Sequence, residues 1–234
     1  MIEELRAACD KHESESLIIR LLRIFSVYLT ALFVKLDLHP NSVSLLSIIA
    51  AITGGILLTL GTQRYFIVGA VVLLFSHLLD RCDGELARYT GKFTAYGSYL
   101  EVLNSNILYS SIFIGLSVGT YRLLGDINML WFGISAMLFK LLYRFSETRR
   151  GTLLKNLKQS SRYAPLTLNQ ASSIYKRVLW EAFMFLFFAG GILLLILLFA
   201  ILNQLDILVM FYGVTMPLLF LVQNYFHWLD LRGR

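Results

Sequence analysis

Residues 80–88 read Asp80-Arg81-Cys82-Asp83-Gly84-Glu85-Leu86-Ala87-Arg88, and Gly97, Glu101 and Ser105 follow at wider spacing. The run closes one long apolar stretch, 64–88, and leads into another, 94–118. Ionisable groups at the edge of membrane-spanning segments are costly to bury and mark functional positions. The reading of this run therefore decides both the fold class and the place to look for chemistry.

The surrounding composition agrees. The chain has 234 residues, of which 57% are apolar and 15% charged, with only 3 prolines. Soluble domains carry about 25% charged residues, so this is the composition of an integral membrane protein. A spanning helix needs roughly 20 apolar residues, and six stretches qualify: 42–62, 64–88, 94–118, 124–146, 178–201 and 206–228. The expected fold class is an all-α integral membrane protein, six transmembrane helices in one domain over 1–234, with 1–40 as a cytoplasmic N-terminal segment. Residues 15–36 have the pattern of an amphipathic helix. It reads either as an interfacial helix lying along the membrane or as a short helix packed on the bundle.

Basic residues set the expected orientation. Arg6, Lys11, Arg20, Arg23 and Lys35 precede the first span, Arg88 and Lys92 lie in the second connection, and Lys140, Arg144, Arg149, Arg150, Lys155, Lys158, Arg162, Lys176 and Arg177 surround the segment from 147 to 177. The alternate connections hold Arg64 and Arg122. Under the positive-inside rule both termini and the acidic run face the cytoplasm. The N-terminus has no apolar core leading to a small-residue cleavage site, so no cleavable leader is expected. The net charge of +6 lies along one membrane face, which suits anionic lipid headgroups and not a nucleic acid. Cys9 and Cys82 are both expected on the cytoplasmic side, where a structural disulfide is disfavoured. Cys82, among carboxylates, reads as a small packing residue.

On a helix, Asp80, Asp83 and Ala87 share a face, and Gly97, Glu101 and Ser105 repeat every four residues on another. An antiparallel pair turning near Lys92 would bring Asp80, Asp83 and Glu101 together. Converging carboxylates repel unless a cation sits among them, and an oxygen-only set suits magnesium, manganese or calcium. Gly84 and Gly97 leave room for a bulky ligand to approach the backbone. The plainer reading is a solvated pair of aspartates, with Arg88 paired to Asp83 or Glu85.

The run resembles the signature of the CDP-alcohol phosphotransferase family, D-x2-D-G-x2-A-R-x8-G-x3-D-x3-D, in which Asp80, Asp83, Gly84, Ala87, Arg88 and Gly97 match in identity and spacing. Upstream, His39-Pro40-Asn41-Ser42-Val43-Ser44 is similar to the Pro-Asn-x-Val-Ser/Thr segment that precedes the first span in that family. The resemblance implies a transferase that moves a substituted phosphoryl group from a CDP-linked donor, often CDP-diacylglycerol, to an acceptor alcohol, releasing CMP. It implies Mg2+ or Mn2+, one or two ions, held by Asp80, Asp83 and Glu101. It implies that Gly84, Ala87, Arg88 and Gly97 line the CDP pocket, with Asn41, Ser44 and Thr94 as further candidates. Arg144 resembles in placement a basic residue that receives the acceptor's phosphate, and reads equally as a positive-inside anchor. Family members are often homodimers, and no residue here bears on that.

Two positions depart from the pattern. The third family aspartate is Glu101 and the fourth is Ser105. A glutamate keeps the charge. A serine hydroxyl neither accepts a proton near neutral pH nor ligates magnesium as well as a carboxylate does. Glu101 then becomes the expected base, unless the acceptor is already ionised or the chain binds a CDP-lipid without turnover. Asn104 and Asn106 flank the missing acid and are expected to point off its face. His77, one turn before Asp80, reads either as a base or as a packed neutral ring.

Overall fold

The computed structural model describes residues 2–9, 17–156 and 174–232. Among these, every regular element is a helix: α1 (Ile2–Cys9), α2 (Leu17–Lys35), α3 (Pro40–Thr59), α4 (Gln63–Thr90), α5 (Ala95–Leu124), α6 (Asn128–Asn156), α7 (Ile174–Phe187), α8 (Ala189–Ile201) and α9 (Leu205–Leu231). The middle of the expected basic connection, 157–173 with Pro165, lies outside the described residues, as does the start of the expected amphipathic helix.

Among the described residues four helices, α3, α4, α5 and α9, are long and apolar enough to cross a membrane, and the bent pair α7–α8 taken together makes a fifth candidate; the chain is an integral membrane protein. The expected fifth span, 178–201, is not one straight helix. It breaks into α7 and α8, which meet at 67°, and the bend brings α7 so close to Gly191 that a Cβ there would collide with the Phe185 carbonyl. Lys140 and Arg144 interrupt the apolar run of α6, so its 29 residues do not qualify by composition.

The packing shows why small residues occupy one face of α3. Ser44, Ser47, Ala51, Gly54 and Gly55 are buried, while Leu45, Leu46, Ile49, Ile52 and Ile56 are exposed. Large apolar side chains face outward because lipid is as apolar as leucine; close backbone approach by small residues is what joins membrane helices. A Cβ on Gly69 would lie 2.9 Å from the Gly54 carbonyl oxygen, and one on Gly115 would lie 2.7 Å from that of Gly55. Thus α3 packs tightly against both α4 and α5. The expected direct α4–α5 pairing does not form: those two helices touch little, and α3 is their common partner. The main core lies farther along the bundle, where Phe113 and Tyr212 meet edge-on at 5.7 Å among Leu73, Leu116 and Ile196.

Local signals place the ends of α3, α4 and α5 together. Pro40 stands at the first position of α3, where its missing N–H costs nothing, and His39 Nδ1 accepts from the Asn41 N–H at 3.2 Å. Gly91 ends α4 in the left-handed conformation, φ 69°, which glycine adopts without strain. Thr94 then caps α5, its hydroxyl accepting from the Gly97 N–H at 2.9 Å.

A candidate active site where α3, α4 and α5 end

Asp83 is buried, and its Oδ2 accepts from the Ser44 hydroxyl at 2.5 Å. Asp80 is partly buried one turn earlier, and its Oδ1 accepts from Asn104 Nδ2 at 2.6 Å. That amide also donates to Ser47 Oγ at 2.8 Å, and Ser47 bonds the Ser76 carbonyl at 2.8 Å. The acid of α4 is therefore positioned by α3 and α5 together. The expectation that Asn104 points off the face is overturned. Residues 101, 104, 105 and 108 form one broad stripe, because positions three and four apart both lie within a helix face about 100° wide. Asn106 is also turned to use: its Oδ1 accepts from Arg144 Nε at 3.2 Å.

Glu101 is exposed but within electrostatic range of both aspartates. Among the described residues no three His, Cys, Asp or Glu side chains converge as a ready metal cluster. The donors are nevertheless all oxygen, the ligand type hard divalent ions take. With Ser105 at the fourth position, the set is an acid short of four carboxylates.

The residues expected around CDP gather in part. Thr94 Oγ1 donates to Asn41 Oδ1 at 3.3 Å, and a Cβ on Gly97 would lie 3.0 Å from each of those oxygens. Gly84 faces the Arg88 guanidinium, which a Cβ would meet at 3.4 Å. Ala87 is partly buried beside them. The alternative pairing of Arg88 with Glu85 or Asp83 is not what the side chains do. Glu85 accepts from Ser26 at 2.5 Å and Thr30 at 2.8 Å, Asp83 is held by Ser44, and Arg88 is exposed. Ser44 itself is buried against the acid, in the shell behind the proposed pocket.

Beside Asp80 opens a cavity of about 180 Å³. His77, Asp80, Ser105, Tyr109 and Arg144 line it, and Ala189 to Gly191 at the start of α8 close the far side. Arg144 stacks 5.3 Å from the Tyr109 ring centroid; it is partly buried in a wall, not a free anchor at the membrane edge. Lys140, counted among the basic residues of that flank, is buried instead: its Nζ donates to the Phe187 carbonyl at 2.6 Å and lies 4.6 Å from the same ring. It thereby satisfies the orphaned end of α7. Sequence periodicity could not place Lys140, because only the α7–α8 break creates its acceptor.

The model of the CDP-alcohol phosphatidyltransferase family matches residues 37–231, from just before α3 to the end of α9. The chain belongs to that family, a family of membrane transferases. No individual curated protein matches it.

Proposed function

We propose that this protein transfers a substituted phosphoryl group from a CDP-linked donor, CDP-diacylglycerol or another CDP-alcohol, to a small acceptor alcohol, with release of CMP, in phospholipid or related lipid synthesis. The observation that supports this reading is that Asp83 and Asp80 are held by Ser44 of α3 and Asn104 of α5, with Asn41, Thr94 and Gly97 in contact at the same helix ends and a cavity beside Asp80. Asn41, Thr94 and Gly97 would border the nucleotide, with Gly84, Ala87 and Arg88 on the pyrophosphate. Asp80 and Asp83, with Glu101 nearby, would hold one or two Mg2+ or Mn2+ ions. A bound ion would neutralise charge on the transferred and leaving phosphates. Arg144, oriented by Asn106 and Tyr109, would receive an anionic group of the acceptor and aim its hydroxyl from the cavity.

The proposed topology has six crossings, counting α6 and the broken α7–α8 pair as one each, with both termini and the site at the cytoplasmic face. The distribution of Lys and Arg supports it. A second reading has a specific observation behind it: Ser105 lines the cavity where an acid would stand, as in a chain that binds a CDP-lipid without turning it over.

Calorimetric titration of the purified protein with CDP, with and without Mn2+, tests the donor site. Binding that requires the metal and is lost in Asp83→Asn supports the reading. Metal-independent binding, or none, contradicts it.

A further inference from the structure

An alcohol that attacks phosphorus must shed its hydroxyl proton, and a positioned side chain speeds that transfer. Few groups in the cavity beside Asp80 can take it. Asp80 accepts from Asn104 on Oδ1, and the transferase reading assigns its other oxygen to a divalent ion. Arg81 and Arg144 are permanently protonated. The Tyr109 ring is covered by the Lys140 ammonium and the Arg144 guanidinium. Ser105 is a neutral hydroxyl, and Glu101 is exposed and off the cavity wall. His77 remains. It lines the cavity one turn before Asp80 on α4, and its Nδ1 is buried with no hydrogen-bond partner among the described residues. An unsatisfied buried polar atom destabilises the fold, which a hydroxyl entering the cavity would relieve. A neutral imidazole has one bare ring nitrogen and can accept one proton there.

From this juxtaposition we propose that His77 is the general base of the transfer, working in place of the acid absent at position 105; the proposal rests on the transferase reading above. The acceptor hydroxyl gives its proton to the imidazole, and its oxygen bonds to the donor phosphorus distal to cytidine. The bond from that phosphorus to the bridging oxygen breaks, and CMP leaves with the electron pair as a phosphate oxyanion. The imidazolium then releases its proton to solvent.

The test is CMP release by the purified full-length protein with Mn2+, CDP-diacylglycerol and a pool of small alcohols, comparing wild type, His77→Asn, Ser105→Asp and the double variant. The expected result is a loss in kcat of about 100-fold or more in His77→Asn, with calorimetric CDP affinity unchanged. The double variant should regain much of the rate, since it restores an acid on the cavity wall. That rescue also shows that the histidine variant folds. Near-wild-type turnover by His77→Asn overturns the proposal and leaves the transferase reading standing. Failure of the double variant to recover overturns it too, as the mark of structural damage. A silent wild type beside an active Ser105→Asp overturns it in a third way, identifying a scaffold that lacks a base. Absence of both turnover and CDP binding in all four proteins removes the transferase reading, and the proposal with it.

Discussion

Asn104 joins three helices through one amide, donating to Asp80 of α4 and Ser47 of α3. Replacing it with alanine leaves a buried carboxylate oxygen without its donor, and such losses cost about 1–3 kcal/mol. Asn104→Ala should therefore lower the melting temperature in detergent and weaken metal-dependent CDP binding; an unchanged melting point and unchanged binding would show that Asp80 is held by other means. The contrast with Asp83 is instructive about legibility. Asp80, Asp83, Gly84 and Arg88 announce themselves by spacing within one helix. Asn104 does not, because its role depends on where α3 and α4 lie in space. The only local signal was its place three residues after Glu101, on the same broad stripe.

Among elements, α2 is fastened to α4 by Glu85, the carboxylate that the plainer reading of the run offered to Arg88. Glu85 is 2% exposed and receives hydroxyls from Ser26 and Thr30. Cys82 lies fully buried beneath the same contact, its Sγ 3.6 Å from the Ser26 carbonyl, as its reading as a packing residue anticipated. In a Cys9→Ala background, the Ser26→Ala, Thr30→Ala double variant should loosen α2 and speed maleimide labelling of Cys82. An unchanged rate would mean that apolar packing alone seats the helix.

A second fastening joins α6 to α9. Arg150 pairs with Asp230 at 2.9 Å and Glu147 at 2.8 Å, and His227 bridges Glu147 and Ser146, each at 2.9 Å. Burial opposes ionisation of Glu147, but Arg150 and His227 outweigh it, so its carboxyl titrates below the usual value. A lowered folded pKa adds stability that is complete above the ordinary glutamate value of about 4.3 and fades as pH falls below it. The melting gap between wild type and Glu147→Gln should thus be present at neutral pH and close in acid. A gap independent of pH would assign it to packing. Arg150 and Glu147 stand three residues apart on α6, a spacing readable in the sequence, whereas their partners on α9 lie about 80 residues away and could not be paired from it.

Across the whole molecule, hydropathy carries the fold class well and the pairing poorly. The outward faces of α3 and α4 are as apolar as the interior, so burial cannot be inferred from hydrophobicity in lipid as it can in water. The small residues Gly54, Gly55, Gly69 and Gly115 carry the pairing instead. The proposed orientation is open to a direct check with single cysteines in a background lacking Cys9 and Cys82. Lys92→Cys, between α4 and α5, should resist an impermeant maleimide in intact cells, and Asp126→Cys, between α5 and α6, should react. The reverse pattern would invert the topology.

The central claim is transfer chemistry at the Asp80–Asp83 site, and CMP release from CDP-diacylglycerol measures it most directly. With Mn2+ and a pool of acceptor alcohols, the purified protein should release CMP at a rate that needs metal and acceptor together and disappears in Asp83→Asn. Release that persists in Asp83→Asn, or no release with any acceptor while CDP still binds, would contradict it.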